Sequence, residues 1–289
     1  MTKLQIFLGW LITVLLLSAC ATPTTTPITP TAIVEGPSAL SVGIASNDFG
    51  KGTPRVPMVF FQDSKPLADV RAVTITAFDL SSGTPVPGWS GNAITYADYD
   101  VPYWVIYPQL SYTGVWGFVA ELTLANNTRA EAQFTIEVVS PTSAPDIGEM
   151  PPTSDNRTLR TVPDITKLTS DSSPEPGLYQ LTVAEALKSG KPTVVTFATP
   201  AFCESRLCAP VVDSIKAVYM QFKELVNFIH IEVYKDFDPL TVADEMDEWQ
   251  LSSEPWTFVL DTNGQVVARL GGPVSPRELE IILEPIAQP

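Results

Sequence analysis

Two cysteines five positions apart are the residues of this chain best suited to chemistry. Cys203 and Cys208 follow an apolar, β-branched run, Pro192 to Phe197, which indicates a buried strand. The free N–H groups and the positive dipole end of a helix N-terminus favour a thiolate over a thiol. The sequence therefore predicts a reactive thiol at a strand-to-helix junction. The helix is indicated by apolar residues at three- and four-residue steps: Val211, Ile215, Val218, Phe222 and Leu225.

Four residues separate the two cysteines. On an ideal helix their Cα atoms would lie roughly 8–9 Å apart, beyond the roughly 7 Å that a disulfide spans. A Cys203–Cys208 bond therefore requires the intervening residues to form a loop or a distorted turn. Proline is preferred at the first position of a helix. If the helix begins near Pro210, both cysteines precede it and can meet, so the spacing permits a disulfide without requiring one.

The composition limits the classes of partner. The chain has 289 residues, of which 45% are hydrophobic, and this is enough for two domains. The 17 basic and 32 acidic residues give a net charge of −15, which argues against nucleic acid or anionic lipid head groups as partners. The sequence contains no phosphate loop, nucleophile triad or zinc-ligand spacing, so it indicates no cofactor and no metal site.

The N-terminus carries a targeting signal. An apolar run from Leu4 to Leu17 is too short to indicate a membrane span, and it ends in Leu17-Ser18-Ala19-Cys20. This ending resembles the lipobox of bacterial lipoproteins. The resemblance implies that residues 1–19 are a signal peptide and that acylated Cys20 anchors the protein in membrane lipid, facing the extracytoplasmic side, where a disulfide can persist. The alternative is an uncleaved signal anchor with an ordinary cysteine.

The first half of the chain has an all-β pattern. Residues 20–37 are rich in Thr and Pro and are expected to form a tether. Residues 38–139 predict a β-sandwich of about seven short strands, with a hairpin around Asn126-Asn127. The run Tyr112-Thr-Gly-Val-Trp116 resembles the end of immunoglobulin-like domains in bacterial surface proteins. The predicted strands are Ala39–Ala45, Val56–Gln62, Val70–Phe78, Ala93–Tyr96, Tyr103–Tyr107, Gly114–Leu124 and Ala130–Val139.

Aromatic residues are frequent in this β region. Core packing is the interpretation favoured by strand propensity, and a ligand groove is the alternative. The aromatic residues are Trp89, Tyr96, Tyr99, Tyr103, Trp104, Tyr107, Tyr112 and Trp116.

A change of pattern follows residue 140. Residues 140–157 are proline-rich and predict an exposed linker that is cut first in limited proteolysis, between two independent bodies. Residues 158–289 then alternate strands and helices in the order β-α-β-α-β-β-α, after an introductory helix opened by the capping box of Thr182 and Glu185. A helix is expected over Leu240–Trp249, and Ser275 is expected to cap the last helix.

A family resemblance covers about Leu178 to Ile286. These residues resemble the extracytoplasmic, TlpA-like thioredoxin-like domains of bacterial lipoproteins, through the strand-Cys…Cys-helix junction, Glu254-Pro255-Trp256 before a strand, and an Asp-x-Asn-Gly hairpin followed by Gly-Gly. The whole chain is thus expected to be multidomain, an all-β immunoglobulin-like sandwich followed by an α/β thioredoxin-like domain. The resemblance implies catalytic roles for Cys203, Cys208 and a cis Pro255 that faces them.

The chain also departs from this family. Its spacer has four residues where the family usually has two. The buried acid that family reductases often carry before the cysteines is absent, because the nearest position holds Thr196 or Phe197.

Three functional classes remain open. The first is a thiol–disulfide oxidoreductase whose partner is an extracytoplasmic protein thiol or disulfide. In it the Cys203 thiolate attacks a disulfide sulfur and Cys208 resolves the intermediate, although the helix dipole alone would favour Cys208 as the thiolate. The second is a non-catalytic surface interaction module with a structural disulfide. The third is a copper metallochaperone, which would need a histidine ligand. His230 is the only histidine, and its place inside the predicted strand Val226–Tyr234 favours a packed side chain.

Overall fold

The computed structural model describes residues 40–203, 205 and 207–288. The signal peptide, the lipobox and the tether predicted from the sequence lie outside these residues. The chain is multidomain, with a strand-rich β domain followed by a mixed α/β thioredoxin-like domain, which confirms the predicted fold class. Within the described ranges, every helix is too short or too polar to cross a membrane.

The β domain is a sandwich of two five-stranded sheets. Its core is formed by the inward faces of both sheets and includes Met58, Ile75 and Phe118. One sheet contains β1 (Leu40–Ile44), β3 (Val56–Gln62), β4 (Lys65–Pro66), β7 (Ile94–Tyr96) and β8 (Tyr103–Ile106). The other contains β2 (Phe49–Gly50), β5 (Val70–Asp79), β6 (Val86–Asn92), β9 (Gly114–Leu124) and β10 (Arg129–Val139).

The predicted strands of this domain are confirmed, and β2, β4 and β6 were not predicted. The hairpin of β9 and β10 turns at Asn126 and Asn127, and Asn127 has a positive φ of 65°. β6 escaped prediction because its Pro87-Gly88 is typical of a turn. It is an edge strand with a register shift against β5, the setting in which a sheet tolerates proline.

The thioredoxin-like domain contains a four-stranded sheet in the order β12-β11-β15-β16. Every residue of the central strand β11 is buried, as its continuous apolar, β-branched run indicates. The strands are β11 (Thr193–Ala198), β12 (Asn227–Glu232), β15 (Trp256–Leu260) and β16 (Val266–Gly271). The helices are α1 (Val183–Ala186), α2 (Cys208–Phe222), α3 (Asp244–Glu248) and α4 (Pro276–Leu283).

Two predictions for this domain need correction. Helix α2 begins at Cys208, so that cysteine lies in the first turn and not before it. The helix predicted over Leu240–Trp249 is wrong in its first turn. A two-stranded hairpin of β13 (Tyr234–Phe237) and β14 (Leu240–Val242) precedes α3. Thr241 and Val242 are β-branched and favour a strand, whereas the helix begins where acidic residues can meet its positive end.

The two domains share a single hydrophobic cluster. Tyr96, Tyr99 and Tyr103 of the β domain pack in it with Val274 and Leu279 of the thioredoxin-like domain. Core packing was the interpretation favoured for the aromatic residues. For these three tyrosines it is confirmed, and the core in which they pack includes residues of the other domain.

A buried ion pair also joins the domains. Arg55 Nε donates a hydrogen bond of 2.7 Å to Glu278 Oε1, and the two side chains are only 4% and 1% exposed. Arg55 also donates to the carbonyl oxygens of Gly271 and Pro273. Tyr103 Oη donates to the other oxygen of Glu278, so both charged groups have their hydrogen bonds satisfied.

Residues 140–157 match the expected exposed linker only in part, because residues 147–150 are exposed whereas other positions are buried. Ala144 is buried, and its N–H donates to Asp48. Ser154 Oγ accepts a 3.0 Å hydrogen bond from Trp249 Nε1. Asn156 Oδ1 accepts one of 2.8 Å from Val183 N. Proline content predicted the irregular backbone here, whereas the burial of Ala144, Ser154 and Asn156 was not predicted. The first proteolytic cut within this segment stays a prediction. The shared hydrophobic cluster and the buried ion pair show that the two domains contact each other.

Candidate active site

The strand-to-helix junction brings the two predicted cysteines together. Cys203 lies in the loop after β11 and is partly exposed, whereas Cys208 is the first residue of α2 and is buried. Strand β15 pairs with β11 and places Glu254 and Pro255 at the same end of the sheet. The two sulfur atoms and a carboxylate oxygen of Glu254 all lie within 4.8 Å of one another. The Glu254–Pro255 peptide bond is cis.

Helix α2 begins without a side-chain cap, because its N-cap residue is Leu207. A sulfur atom takes part of that role, since Cys208 N donates a 3.4 Å hydrogen bond to Cys203 Sγ. Ser205 Oγ lies 3.2 Å from the same sulfur and accepts from Leu207 N. The Cys203 sulfur is thus surrounded by hydrogen-bond donors at the positive end of a helix.

This arrangement gives the two thiols opposite acidities. A hydrogen bond from the Cys208 thiol lowers the pKa of Cys203 to about 5, against the effect of burial, and Ser205 and the Cys208 N–H strengthen the effect. The same bond, together with burial, raises the pKa of Cys208 well above its ordinary value. At neutral pH the pair is therefore a Cys203 thiolate beside a Cys208 thiol. The hydrogen bonds outweigh the dipole argument that favoured Cys208.

A buried carboxylate fixes the loop that carries Cys203. Glu232 Oε2 accepts hydrogen bonds of 2.7 Å and 2.9 Å from the N–H and hydroxyl of Ser170. The Ser170 hydroxyl in turn accepts one of 3.0 Å from Ala201 N, two residues before Cys203. The loop is therefore tied to the end of β12 by a chain of polar contacts.

His230 is a packed residue, as its place in a strand indicated. Its Nε2 lies 3.1 Å from the carbonyl oxygen of Ala198, which can only accept, so Nε2 carries the proton. Its Nδ1 lies 2.7 Å from Tyr179 Oη and accepts from it. Burial lowers the pKa of His230, in agreement with a neutral ring. Both ring nitrogens are used, which removes His230 as the copper ligand of the metallochaperone alternative.

The β domain reaches this site at two points that the sequence did not indicate: Tyr99, which contacts the start of α2, and Ala45, which packs against Gly272 beside the Pro255 loop. Tyr99 Oη donates a 3.1 Å hydrogen bond to the carbonyl oxygen of Leu207, the N-cap residue of α2. Gly272 N donates to the carbonyl oxygen of Pro255. Gly272 has a φ of +83°, and a Cβ there would lie 2.0 Å from the oxygen of Ala45. Only glycine allows the β domain to approach the Pro255 loop so closely.

Glu254 is a neighbour of the cysteines that sequence reasoning missed. The sequence indicated Glu254 only as part of Glu254-Pro255-Trp256, yet the residue is partly buried with its carboxylate beside both sulfurs. Its position next to Pro255 was the available signal, because the resemblance already implied that Pro255 faces the cysteines.

Comparison with known proteins identifies the C-terminal domain. A family model described as a thioredoxin-like domain matches residues 179–287. No match was found among curated proteins. A thiol:disulfide interchange protein of the thioredoxin family from Chlorobium tepidum is 19% identical, covering 41% of this chain and 100% of its own, with a TM-score of 0.32. CopC from Methylosinus trichosporium is 18% identical, covering 32% of this chain and 83% of its own, with a TM-score of 0.23. The multidomain chain therefore carries a thioredoxin-like domain at its C-terminal end, after a strand-rich β domain.

Proposed function

We propose that this protein carries out thiol–disulfide exchange through Cys203 and Cys208 on an extracytoplasmic protein thiol or disulfide. The observation that supports this most is the unequal pair itself. A partly exposed sulfur with a pKa of about 5 lies beside a buried thiol whose pKa is raised. A thiolate is the nucleophile in exchange, and a second thiol nearby can complete the reaction.

In the reductive direction the reaction has two steps. The Cys203 thiolate attacks one sulfur of a substrate disulfide, which forms a mixed disulfide and expels the other substrate sulfur as a thiolate. Cys208 then gives its proton to the substrate thiolate released in the first step and attacks Cys203 Sγ, which expels the second substrate sulfur as a thiolate and leaves the Cys203–Cys208 disulfide. Two electrons pass to the substrate, and the oxidised protein supports the reverse sequence. Pro255 follows Glu254, whose carboxylate lies within 4.8 Å of both sulfurs, and is the proposed contact for the substrate backbone.

The reduction potential and the alkylation profile test this proposal together. We expect the Cys203–Cys208 potential to lie between about −120 and −270 mV, the range of known exchange catalysts. In the reduced protein, the rate of Cys203 alkylation should rise with pH and reach half its maximum near pH 5. Cys208→Ser should accumulate a mixed disulfide with a disulfide-containing protein substrate, and Cys203→Ser should not. A potential below about −300 mV, with both thiols titrating near the ordinary value of about 8.5, would instead indicate a structural disulfide in a surface module.

The same proposal places the protein at the cell membrane, anchored through acylated Cys20 and facing the extracytoplasmic side. Support comes from the Leu17-Ser18-Ala19-Cys20 sequence that ends the apolar run. Cys20→Ser should release the protein from membranes or leave it unprocessed. An intact mass that still includes Met1 in the mature wild-type protein would overturn the anchor.

A further inference from the structure

Three side chains at the candidate active site form a set of metal donors that the sequence does not show as a motif. Cys203 and Cys208 come from the junction of β11 and α2, and Glu254 comes from the loop before β15. Their donor atoms lie within 4.8 Å of one another. We propose that the reduced protein binds a zinc ion between Cys203 Sγ, Cys208 Sγ and the Glu254 carboxylate.

The dimensions of the site suit this ion. Zinc binds sulfur at about 2.3 Å and carboxylate oxygen at about 2.0–2.2 Å in a tetrahedron, which places neighbouring donors roughly 3.4–3.8 Å apart. Donors within 4.8 Å therefore need to approach by at most about 1.4 Å. Cys203 lies two residues after the point at which its loop is tied to Ser170, and Glu254 is outside the regular strand, so neither of these two ligands is held within a helix or a strand.

The donor set distinguishes between metals. Two thiolates exclude Mg²⁺ and Ca²⁺, which take oxygen ligands. A carboxylate suits Cu⁺ poorly, because that ion selects soft sulfur donors, whereas zinc accepts sulfur and oxygen in one site. Three protein ligands leave the fourth tetrahedral position open, and partly exposed Cys203 places that position toward solvent. The site is thus of the open, exchangeable kind.

Zinc and the Cys203–Cys208 disulfide exclude each other, because each uses both sulfurs. When the zinc-bound protein meets a substrate disulfide, the two thiolates give up two electrons, their sulfurs join, the substrate becomes two thiolates that take up protons from water, and Zn²⁺ is released. Because bound zinc occupies both sulfurs and leaves only as they join, zinc should slow the exchange reaction of the reduced pair. This role adds to the exchange reaction and does not depend on it, since binding is measured on the reduced protein alone.

Titration of the reduced full-length protein with Zn²⁺ alone, against a chromogenic chelator, tests the site. We expect one zinc per chain, bound reversibly and protecting both cysteines from iodoacetamide until a chelator is added. Co²⁺ should give the near-ultraviolet sulfur-to-metal charge-transfer band of thiolate coordination. Glu254→Gln should weaken zinc binding by at least about tenfold, since the loss of even outer-sphere partners costs that much.

Two further variants separate a ligand from a general effect of charge. Glu254→His supplies an imidazole in place of the carboxylate and should restore most of the affinity lost in Glu254→Gln. Glu224→Gln removes an exposed carboxylate from the same domain and should leave affinity unchanged. Equal affinity of wild type and Glu254→Gln, or binding that survives in both Cys203→Ser and Cys208→Ser, would overturn the proposal. Thiol–disulfide exchange without zinc binding would overturn it too and leave the proposed function standing.

Discussion

Two helices of the thioredoxin-like domain begin in opposite ways. Helix α4 begins with a complete set of partners, because Ser275 Oγ accepts from Glu278 N and Pro276 occupies the first turn. Helix α2 begins at Cys208 after the N-cap residue Leu207, which offers no side-chain cap, and the Cys208 N–H donates to the sulfur of Cys203. The N-terminus of α4 is therefore capped by a structural side chain, whereas the first N–H of α2 donates to the sulfur of the candidate nucleophile.

The β domain contacts both of these helix starts. It binds α4 through the Arg55–Glu278 pair and α2 through Tyr99, which donates to Leu207 O. The first contact is fully buried and charged, whereas the second is a single neutral hydrogen bond. We infer that the α4 contact, together with the shared hydrophobic cluster, joins the two domains, and that the α2 contact positions the Leu207 carbonyl at the active site.

The largest expected effect is on stability at α4. Glu278→Gln leaves Arg55 charged and buried without its counter-ion, which should lower the free energy of unfolding by about 3–5 kcal/mol. Urea unfolding followed by fluorescence and circular dichroism measures the loss. The exposed pair Lys235–Asp244 is the control, and Asp244→Asn should change stability by less than about 1 kcal/mol. Similar losses in both variants would contradict the distinction between a buried and an exposed pair.

Replacing both partners of the buried pair sharpens this result. Arg55→Met combined with Glu278→Leu removes both charges and should recover part of the loss seen in Glu278→Gln. The recovery should be incomplete, because the carbonyl oxygens of Gly271 and Pro273 also lose the donors that Arg55 supplies. Full loss in the double variant would show that packing, and not the unpaired charge, dominates.

The next largest expected effect is on the pKa of Cys203, at the start of α2. Because the Cys208 thiol is the largest cause of the low pKa of Cys203, Cys208→Ala should raise that pKa from about 5 toward the ordinary value near 8.5. A rise of about two units would slow alkylation at pH 6 roughly tenfold. Cys208→Ser keeps a donor and should raise the pKa less. The rate of Cys203 alkylation against pH in both variants makes the comparison, and equal profiles would show that the thiol hydrogen bond is not the cause.

Local signals in the sequence were enough for most of the fold. The fully buried run of β11, the capping box at Thr182 and the cap at Ser275 each rest on neighbouring residues, and each is present in the structure. The start of α2 was misplaced because Pro210 is typical of a first turn, and the hairpin before α3 was missed because its residues also fit an apolar helix face.

Contacts between distant segments could not be predicted. Arg55 and Glu278 are separated by 223 positions, and nothing near either residue indicates its burial. The same limit applied to the site. Cys203, Cys208 and Pro255 carry local motifs, whereas the place of Glu254 beside the sulfurs depends on β15 pairing with β11. The packing of Tyr99 against α2 depends on the β domain as a whole.

The smallest expected effects come from two serines that bear on the two helix starts. Ser275→Ala removes a buried N-cap and should lower the free energy of unfolding by about 1–2 kcal/mol, with the pKa of Cys203 unchanged. Ser205 is exposed and its hydroxyl lies 3.2 Å from Cys203 Sγ, where it helps to lower the pKa of that thiol. Ser205→Ala should therefore raise the pKa of Cys203 modestly and change stability by no more than about 0.5 kcal/mol. Unfolding and alkylation measured on both variants give a two-by-two comparison. A loss of stability in Ser205→Ala, or a shift in the pKa of Cys203 in Ser275→Ala, would contradict the comparison. It would show that contacts at α4 do not act on stability alone, or that contacts at α2 do not act on the pKa of Cys203 alone.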